Sequence, residues 1–108
     1  FQEAGFIKCP IIPKGSSINH HAYFIIFDTT QNRSIFLKNL KELFDVSAYI
    51  GYQPLHSSGF MLKSADDWYD TCPVTTRISG CLARLPLFSD MSEEQLEHVL
   101  RCVREFEF

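Results

Sequence analysis

At 108 residues the chain has the length of one domain. An apolar share of 45 % with ten phenylalanines supplies a core and excludes a disordered chain. A net charge of −3 argues against a nucleic-acid surface, which needs a basic stripe, and no apolar run is long enough to span a bilayer.

Residues 1–17 contain Gly5, Pro10, Pro13 and Gly15 and read as a lead-in to a core at 18–106. Within it, Lys8 to Ile12 fits a short edge strand, because its proline cannot donate to a central ladder. His21 to Asp28 is the best strand: Tyr23, Phe24, Ile25, Ile26 and Phe27 are aromatic or β-branched without interruption, which implies burial on both faces or nearly so. A helix of about three turns follows, with Asn32 expected as its N-cap. Phe36, Leu37, Leu40, Leu43 and Phe44 recur at helical steps on its apolar face. Val46 to Ile50 is expected as a second strand.

The chain then reaches Gly51-Tyr-Gln-Pro-Leu-His-Ser-Ser58. Pro54 fixes its own φ and pushes Gln53 toward an extended shape, so Tyr52 and His56 ride on a stiff loop. Rigidly held loops are where binding residues gather. Residues 59–64 read either as a cover for this loop or as a lid. Asp66 to Leu82 is expected to be mostly helix, with Pro73 in a first turn, Trp68 and Tyr69 docking it, and Val74, Ile78, Cys81 and Leu82 along one face. Gly80 in that helix costs about 1 kcal/mol relative to Ala and signals a close neighbour. Asp66, Asp67 and Asp70 read as a solvated helix start.

Arg84 to Phe88 is a third extended piece. Ser92 to Phe106 is the clearest helix, capped by Ser92 with Gln95 closing the box, Met91 and Leu96 as a hydrophobic staple, and a stripe of Leu96, Val99, Leu100, Val103 and Phe106. The pattern predicts an α/β (α+β) two-layer sandwich, a small mainly antiparallel sheet packed with about three helices.

No catalytic signature such as G-x-S-x-G, H-E-x-x-H or a phosphate-binding glycine loop occurs. His56 has serine neighbours but no nearby acid to orient it, which leaves little support for a hydrolytic triad. Cys9, Cys72, Cys81 and Cys102 are widely spaced, with no C-x-x-C pair, which favours free thiols in a reducing compartment over disulfides or zinc. His20 and His21 are adjacent, so in a strand they face opposite ways and cannot share a metal.

Four stretches together resemble one family. His21-Ala-Tyr-Phe-Ile-Ile26 is similar to the H-x-x-x-h-h strand that opens the small domain of DegT/DnrJ/EryC1/StrS-type sugar aminotransferases, fold-type-I enzymes that use pyridoxal phosphate. Arg33-Ser34 with the Phe36/Leu40 helix resembles D-R-S-x-F-x-x-x-L. Tyr52 to Ser58 resembles H-Y-x-P-L-H-S-S, and Arg84 to Phe88 resembles L-R-L-P-L-F before the final helix. Order and spacing agree across residues 8–106.

The resemblance implies the small C-terminal domain of a longer cytoplasmic enzyme. Phe1 in place of a starting methionine, with Met61 and Met91 far along, supports that expectation. It further implies a homodimeric parent that moves an amino group, expected from glutamate, to a dTDP-4-keto-6-deoxyhexose for lipopolysaccharide or common-antigen synthesis. No nucleic acid and no membrane is implied as partner. The cofactor lysine and the phosphate-binding residues of the family lie upstream; Lys8, Lys14, Lys38, Lys41 and Lys63 match none of its lysine motif. The fragment is therefore expected to bind no cofactor and to be inactive alone. Tyr52 and His56 are implied to lie near the sugar nucleotide. Ser57 and Ser58 can offer hydroxyls to sugar or phosphate oxygens. His21 reads equally as a substrate contact and as a packed histidine bonded to backbone. Gly51 stands where the family often has His, the family's Pro-Ala-Gly loop after Ser58 is absent, and Gly80-Cys81 falls near its Glu and Arg or Leu. A free-standing binding or interaction module with a ferredoxin-like sandwich remains the alternative.

Overall fold

A computed structural model describes residues 7–64 and 72–106. Four strands, β1 (Ile7–Lys8), β2 (Tyr23–Phe27), β3 (Tyr49–Ile50) and β4 (Leu82–Leu85), form one antiparallel sheet in the order β1-β2-β4-β3. Four helices accompany it: α1 (Thr30–Phe44), α2 (Gly59–Ser64), α3 (Pro73–Cys81) and α4 (Glu93–Glu105), with a 3₁₀ turn at Leu55–Ser57. This is the expected two-layer α+β sandwich.

The core lies between one sheet face and α1 and α4. Ile25, Phe27 and Ala83 meet Phe36 and Leu40 of α1, Val99 and Cys102 of α4, and Val46 and Phe106. Leu40 is 0 % exposed. Phe36 stands between Phe27 and Phe106, with ring centroids 4.9 and 5.0 Å away. Such aromatic pairs add roughly 0.5–1.5 kcal/mol each beyond their buried area.

The other sheet face is less covered than the unbroken apolar run of β2 suggests. Ile25 and Phe27 are buried on the core side, whereas Phe24 and Ile26 on the other side are only half-buried. The run is apolar on both sides, yet the buried cluster with α1 and α4 forms on the Ile25 and Phe27 side.

Several boundaries differ from the sequence reading. Thr29, not Asn32, caps α1: its hydroxyl accepts the Asn32 amide at 3.0 Å, while the Asn32 side chain turns back to Asp28. Both residue types cap well, and the earlier one won, giving fifteen residues and a fourth turn. Leu43 is 69 % exposed because the helix turns it away from the sheet. Asp45 ends α1 in the left-handed region at φ 52°. The expected strand at 46–50 shrinks to Tyr49–Ile50, since Val46 and Ala48 pack into the core instead of pairing.

The edge strand β1 stops at Lys8, before Cys9-Pro10. Residues 59–64 form a short helix whose Met61 amide donates to the Ser58 hydroxyl at 3.3 Å. Helix α3 has Pro73 in its first turn as expected, but Val74 is exposed, and Leu82 belongs to β4. Asp66, Asp67, Trp68, Tyr69 and Asp70 lie outside the described residues. A Cβ on Gly80 would stand 3.3 Å from the Thr30 hydroxyl oxygen, which is the close neighbour that glycine signalled.

In α4 the capping box is complete: Ser92 N–H donates to Gln95 Oε1 at 2.9 Å, and Gln95 N–H donates to Ser92 Oγ at 3.2 Å. Cys102 joins the buried stripe, and Leu96 sits at its exposed margin. Among the described residues no helix is long and apolar enough to cross a membrane.

Candidate functional site

Strand β4 is the middle of the site. Arg84 pairs across one ladder with Phe24 and across the other with Tyr49, so the three side chains share a sheet face. Beyond β3, a groove of about 800 Å³ opens between the sheet edge, the stretch after β4 and the first turns of α4. Val46, Leu85 and Val99 give it an apolar floor, and Tyr49, Tyr52 and Phe88 bring aromatic rings to it.

Tyr52 is 88 % exposed, and the Arg84 guanidinium lies over its ring, 5.5 Å from the centroid. That distance is within cation–π range. Two acids line the groove, Asp45 and Glu94. Asp45 is engaged by Lys41: the hydrogen bond first, and the ammonium charge second, hold its carboxyl below the usual range. His98 also lines the groove, but its Nε2–H donates to the Phe44 carbonyl at 3.2 Å and its Nδ1 faces Arg101.

Of the candidate ligand contacts Tyr52, His56, Ser57, Ser58 and His21, only Tyr52 lines this groove. His56 is buried, 8 % exposed, with Nε2 2.9 Å from the Thr76 hydroxyl oxygen of α3. Ser57 Oγ donates to the Pro54 carbonyl at 3.0 Å, and Ser58 Oγ caps α2. Gln53 Nε2 donates to the Ser57 carbonyl at 2.6 Å. The loop therefore spends its polar groups on its own shape and on its tie to α3. His21 is exposed ahead of β2, bonded through its backbone amide and Nδ1 to Asn19 Oδ1 at 3.3 and 3.1 Å. It is neither a strand residue nor packed.

Arg84 is the residue that sequence reasoning named within a motif but gave no role. Its signal was a cation flanked by apolar residues in an extended piece.

A Schiff-base lysine is desolvated, so that its amine is neutral. All five lysines of the sequence are exposed, and Lys41 is also paired with Asp45. The lysines present therefore do not fit the role of holding a cofactor aldehyde. Among the described residues no group of three or more His, Cys, Asp or Glu gathers to hold a metal, and all four cysteines are free thiols.

The sequence profile of the DegT/DnrJ/EryC1/StrS aminotransferase family matches residues 1–104. Among curated proteins, the chain is 26 % identical over 106 residues to dTDP-3-amino-3,4,6-trideoxy-alpha-D-glucose transaminase of Micromonospora megalomicea subsp. nigra, covering 96 % of this chain and 27 % of that protein. Among solved structures, NtdA from Bacillus subtilis, crystallised with bound cofactor PMP, is similar at a TM-score of 0.71 and 20 % identity. That likeness covers 96 % of this chain and 24 % of NtdA. The chain spans about a quarter of the length of these relatives.

Proposed function

The chain belongs to the DegT/DnrJ/EryC1/StrS aminotransferase family, and we propose that it is the small domain of a pyridoxal-phosphate-dependent nucleotide-sugar aminotransferase. The observation that carries this reading is the family match over residues 1–104, supported by a curated relative named as a sugar transaminase and by a fold shared with a protein crystallised with PMP. The cofactor, when bound, supplies the electron sink for amino transfer. Because the lysines here are solvent-facing, the group that anchors it belongs to the rest of the parent protein, and this chain alone does not transaminate.

This chain contributes a wall of the sugar-nucleotide site. Tyr52 supplies an exposed aromatic face, and Pro54 and the His56–Thr76 bond hold its loop in place. Ser57, Ser58 and His21 are secondary candidates for sugar or phosphate contacts. Glutamate is the proposed amino donor and a dTDP-4-keto-6-deoxyhexose the proposed acceptor, since the motifs resemble those of dTDP-4-amino-4,6-dideoxygalactose transaminase. The curated relative's name places the amino group at carbon 3, so the position of transfer is the point to test. A homodimeric, cytoplasmic parent completes the proposal; the free thiols are consistent with a reducing compartment.

The test is spectroscopic. The full reading frame is expressed, and its near-ultraviolet and violet absorption is recorded before and after adding glutamate. A Schiff-base band that is lost with glutamate, and restored by a 4-keto but not a 3-keto dTDP-sugar, is the expected result. Absence of a cofactor band overturns the reading. Restoration by the 3-keto sugar alone moves the reaction to carbon 3.

A further inference from the structure

Building on the reading of this chain as one domain of a longer aminotransferase, we propose that strand β3 and Arg84 form a docking edge for an extended, carboxylate-bearing segment of the rest of the parent protein.

The sheet order β1-β2-β4-β3 leaves two edges, and they differ. Strand β1 carries the exposed Lys8 and is followed by Pro10. A charge and a proline both discourage another strand from pairing there. Along β3 neither guard exists: no charged residue and no proline occurs from Val46 to Gln53. Tyr49 and Ile50 are both exposed. Among the described residues, the backbone of residues 47–53 makes no backbone bond outside its ladder to β4, so the outer N–H and C=O groups of this edge are open. An extended segment satisfies such an edge by adding a strand to it.

Arg84 selects the occupant. It lies one strand in from the edge, between Phe24 and Tyr49 on one sheet face, with its guanidinium over the Tyr52 ring. It is half-buried, yet among the described residues it makes no ion pair; the two present are Lys38–Glu42 and Lys41–Asp45. A ring under the cation leaves the N–H fork free. A planar fork held among aromatic rings is matched by a carboxylate, which it grips in a bidentate way. Tyrosine and arginine are also the side chains that most often carry the binding energy of an interface. Of the acids beside the groove, Asp45 is tied to Lys41, and Glu94 sits in the first turn of α4, unbonded to Arg84. The missing carboxylate therefore comes with the docking segment. A second copy pairing edge to edge would instead bring a second unmatched Arg84. The chain spans about a quarter of the length of its relatives, so most of such a parent is available to supply the segment.

The experiment is photo-cross-linking of the full reading frame, with p-benzoyl-phenylalanine in place of Tyr49 and the linked peptides sequenced by mass spectrometry. Links to a segment outside the 108 residues, with an Asp or Glu beside the linked position, are expected. Arg84→Glu should cut their yield by about tenfold or more, the scale of a lost charged hydrogen bond, and reversing the segment's acid to a lysine should restore it. That rescue separates pairing from folding, because a variant that merely unfolds is not rescued. Hydrogen exchange of the unsubstituted protein gives a second readout: the amides of residues 47–53 should be slow, and about tenfold or more faster in Arg84→Gln. Links confined to the 108 residues, links between the β3 strands of two copies, a yield indifferent to Arg84, or no link with fast amides each overturn the proposal. Neither readout uses the cofactor. The expected links in a protein lacking a cofactor band refute the transaminase reading alone, and a working transaminase with an unlinked, fast-exchanging β3 refutes this inference alone.

Discussion

Nε2 of His56 lies 2.9 Å from Oγ1 of Thr76, and the same oxygen lies 3.2 Å from the Cys72 carbonyl. A carbonyl can only accept, so the hydroxyl gives its proton to Cys72 and turns a lone pair to the imidazole. His56 is thereby assigned the Nε2–H tautomer. Nitrogen-15 NMR of the imidazoles should show a protonated Nε2 and a bare Nδ1 for His56. The opposite tautomer would reverse the direction of that bond.

Removing the acceptor isolates its worth. Thr76→Val keeps the shape at an exposed helix position and leaves a buried N–H without its partner, which should cost about 1–3 kcal/mol. Urea unfolding measures it; an unchanged midpoint would show that the loop does not depend on this tie.

The core predicts a larger loss. Leu40 is 0 % exposed and meets both the sheet and α4. Leu40→Ala should cost about 2–5 kcal/mol, the range for buried leucines that leave a cavity. Ser92→Ala should cost about 0.5–2 kcal/mol, because the Gln95 amide at the start of α4 loses the hydroxyl that accepts it, while the amide of residue 92 keeps the Gln95 side chain. Chemical denaturation of both variants checks the order: if Ser92→Ala is the worse, Leu40 is not at the packed centre of the core.

The Lys41–Asp45 pair sets a pH dependence. Its carboxyl titrates below the usual carboxylate range in the folded chain, so the unfolded chain binds more protons as pH falls. The pair's contribution is therefore present above the ordinary carboxylate pKa and is lost as pH drops through the depressed folded value. Both groups are exposed, so the effect should be small and should fade in salt. Asp45→Asn, which tolerates the left-handed backbone, should lower stability near neutrality and change nothing in acid. A pH-independent loss would point to the backbone instead of the charge.

Thiol reactivity should divide by burial. Cys102 is buried and burial pushes its thiol up, so the nucleophilic thiolate is scarce. Cys81 is buried too. Both should resist a thiol reagent in the folded protein and react on unfolding, while half-buried Cys9 reacts sooner. Fast labelling of Cys102 under native conditions would contradict the packing of α4.

What was legible in the sequence was what local chemistry fixes. Tyr23 to Phe27 could only be strand, and Ser92 with Gln95 spelled out the start of α4 before any contact was known. Thr29 and Asn32 are both good caps, and nothing in their local sequence chooses between them. Leu82 continued a helical spacing, so the start of β4 was hidden until its ladder to β2 was seen. The groove was illegible for another reason: its walls come from residues 45–52, 84–88 and 91–99, which meet only through the sheet order. Nor could His56 announce a partner twenty residues away, and its imidazole read as ligand-facing when it points into α3.

The ladder between β2 and β4 has a consequence for how the chain is made. Tyr23 pairs with Leu85 and Ile26 with Leu82, so the two central strands come from opposite ends of the domain. Their loop must close before the pairing rewards it, an entropic cost that a hairpin of neighbouring strands would not carry. A nascent chain that has emerged only as far as α3 holds β2 with its best partner still inside the ribosome. Until Leu82–Leu85 emerges, the backbone edge of β2 stays open to any other strand, with the apolar side chains of Phe24 and Ile26 beside it.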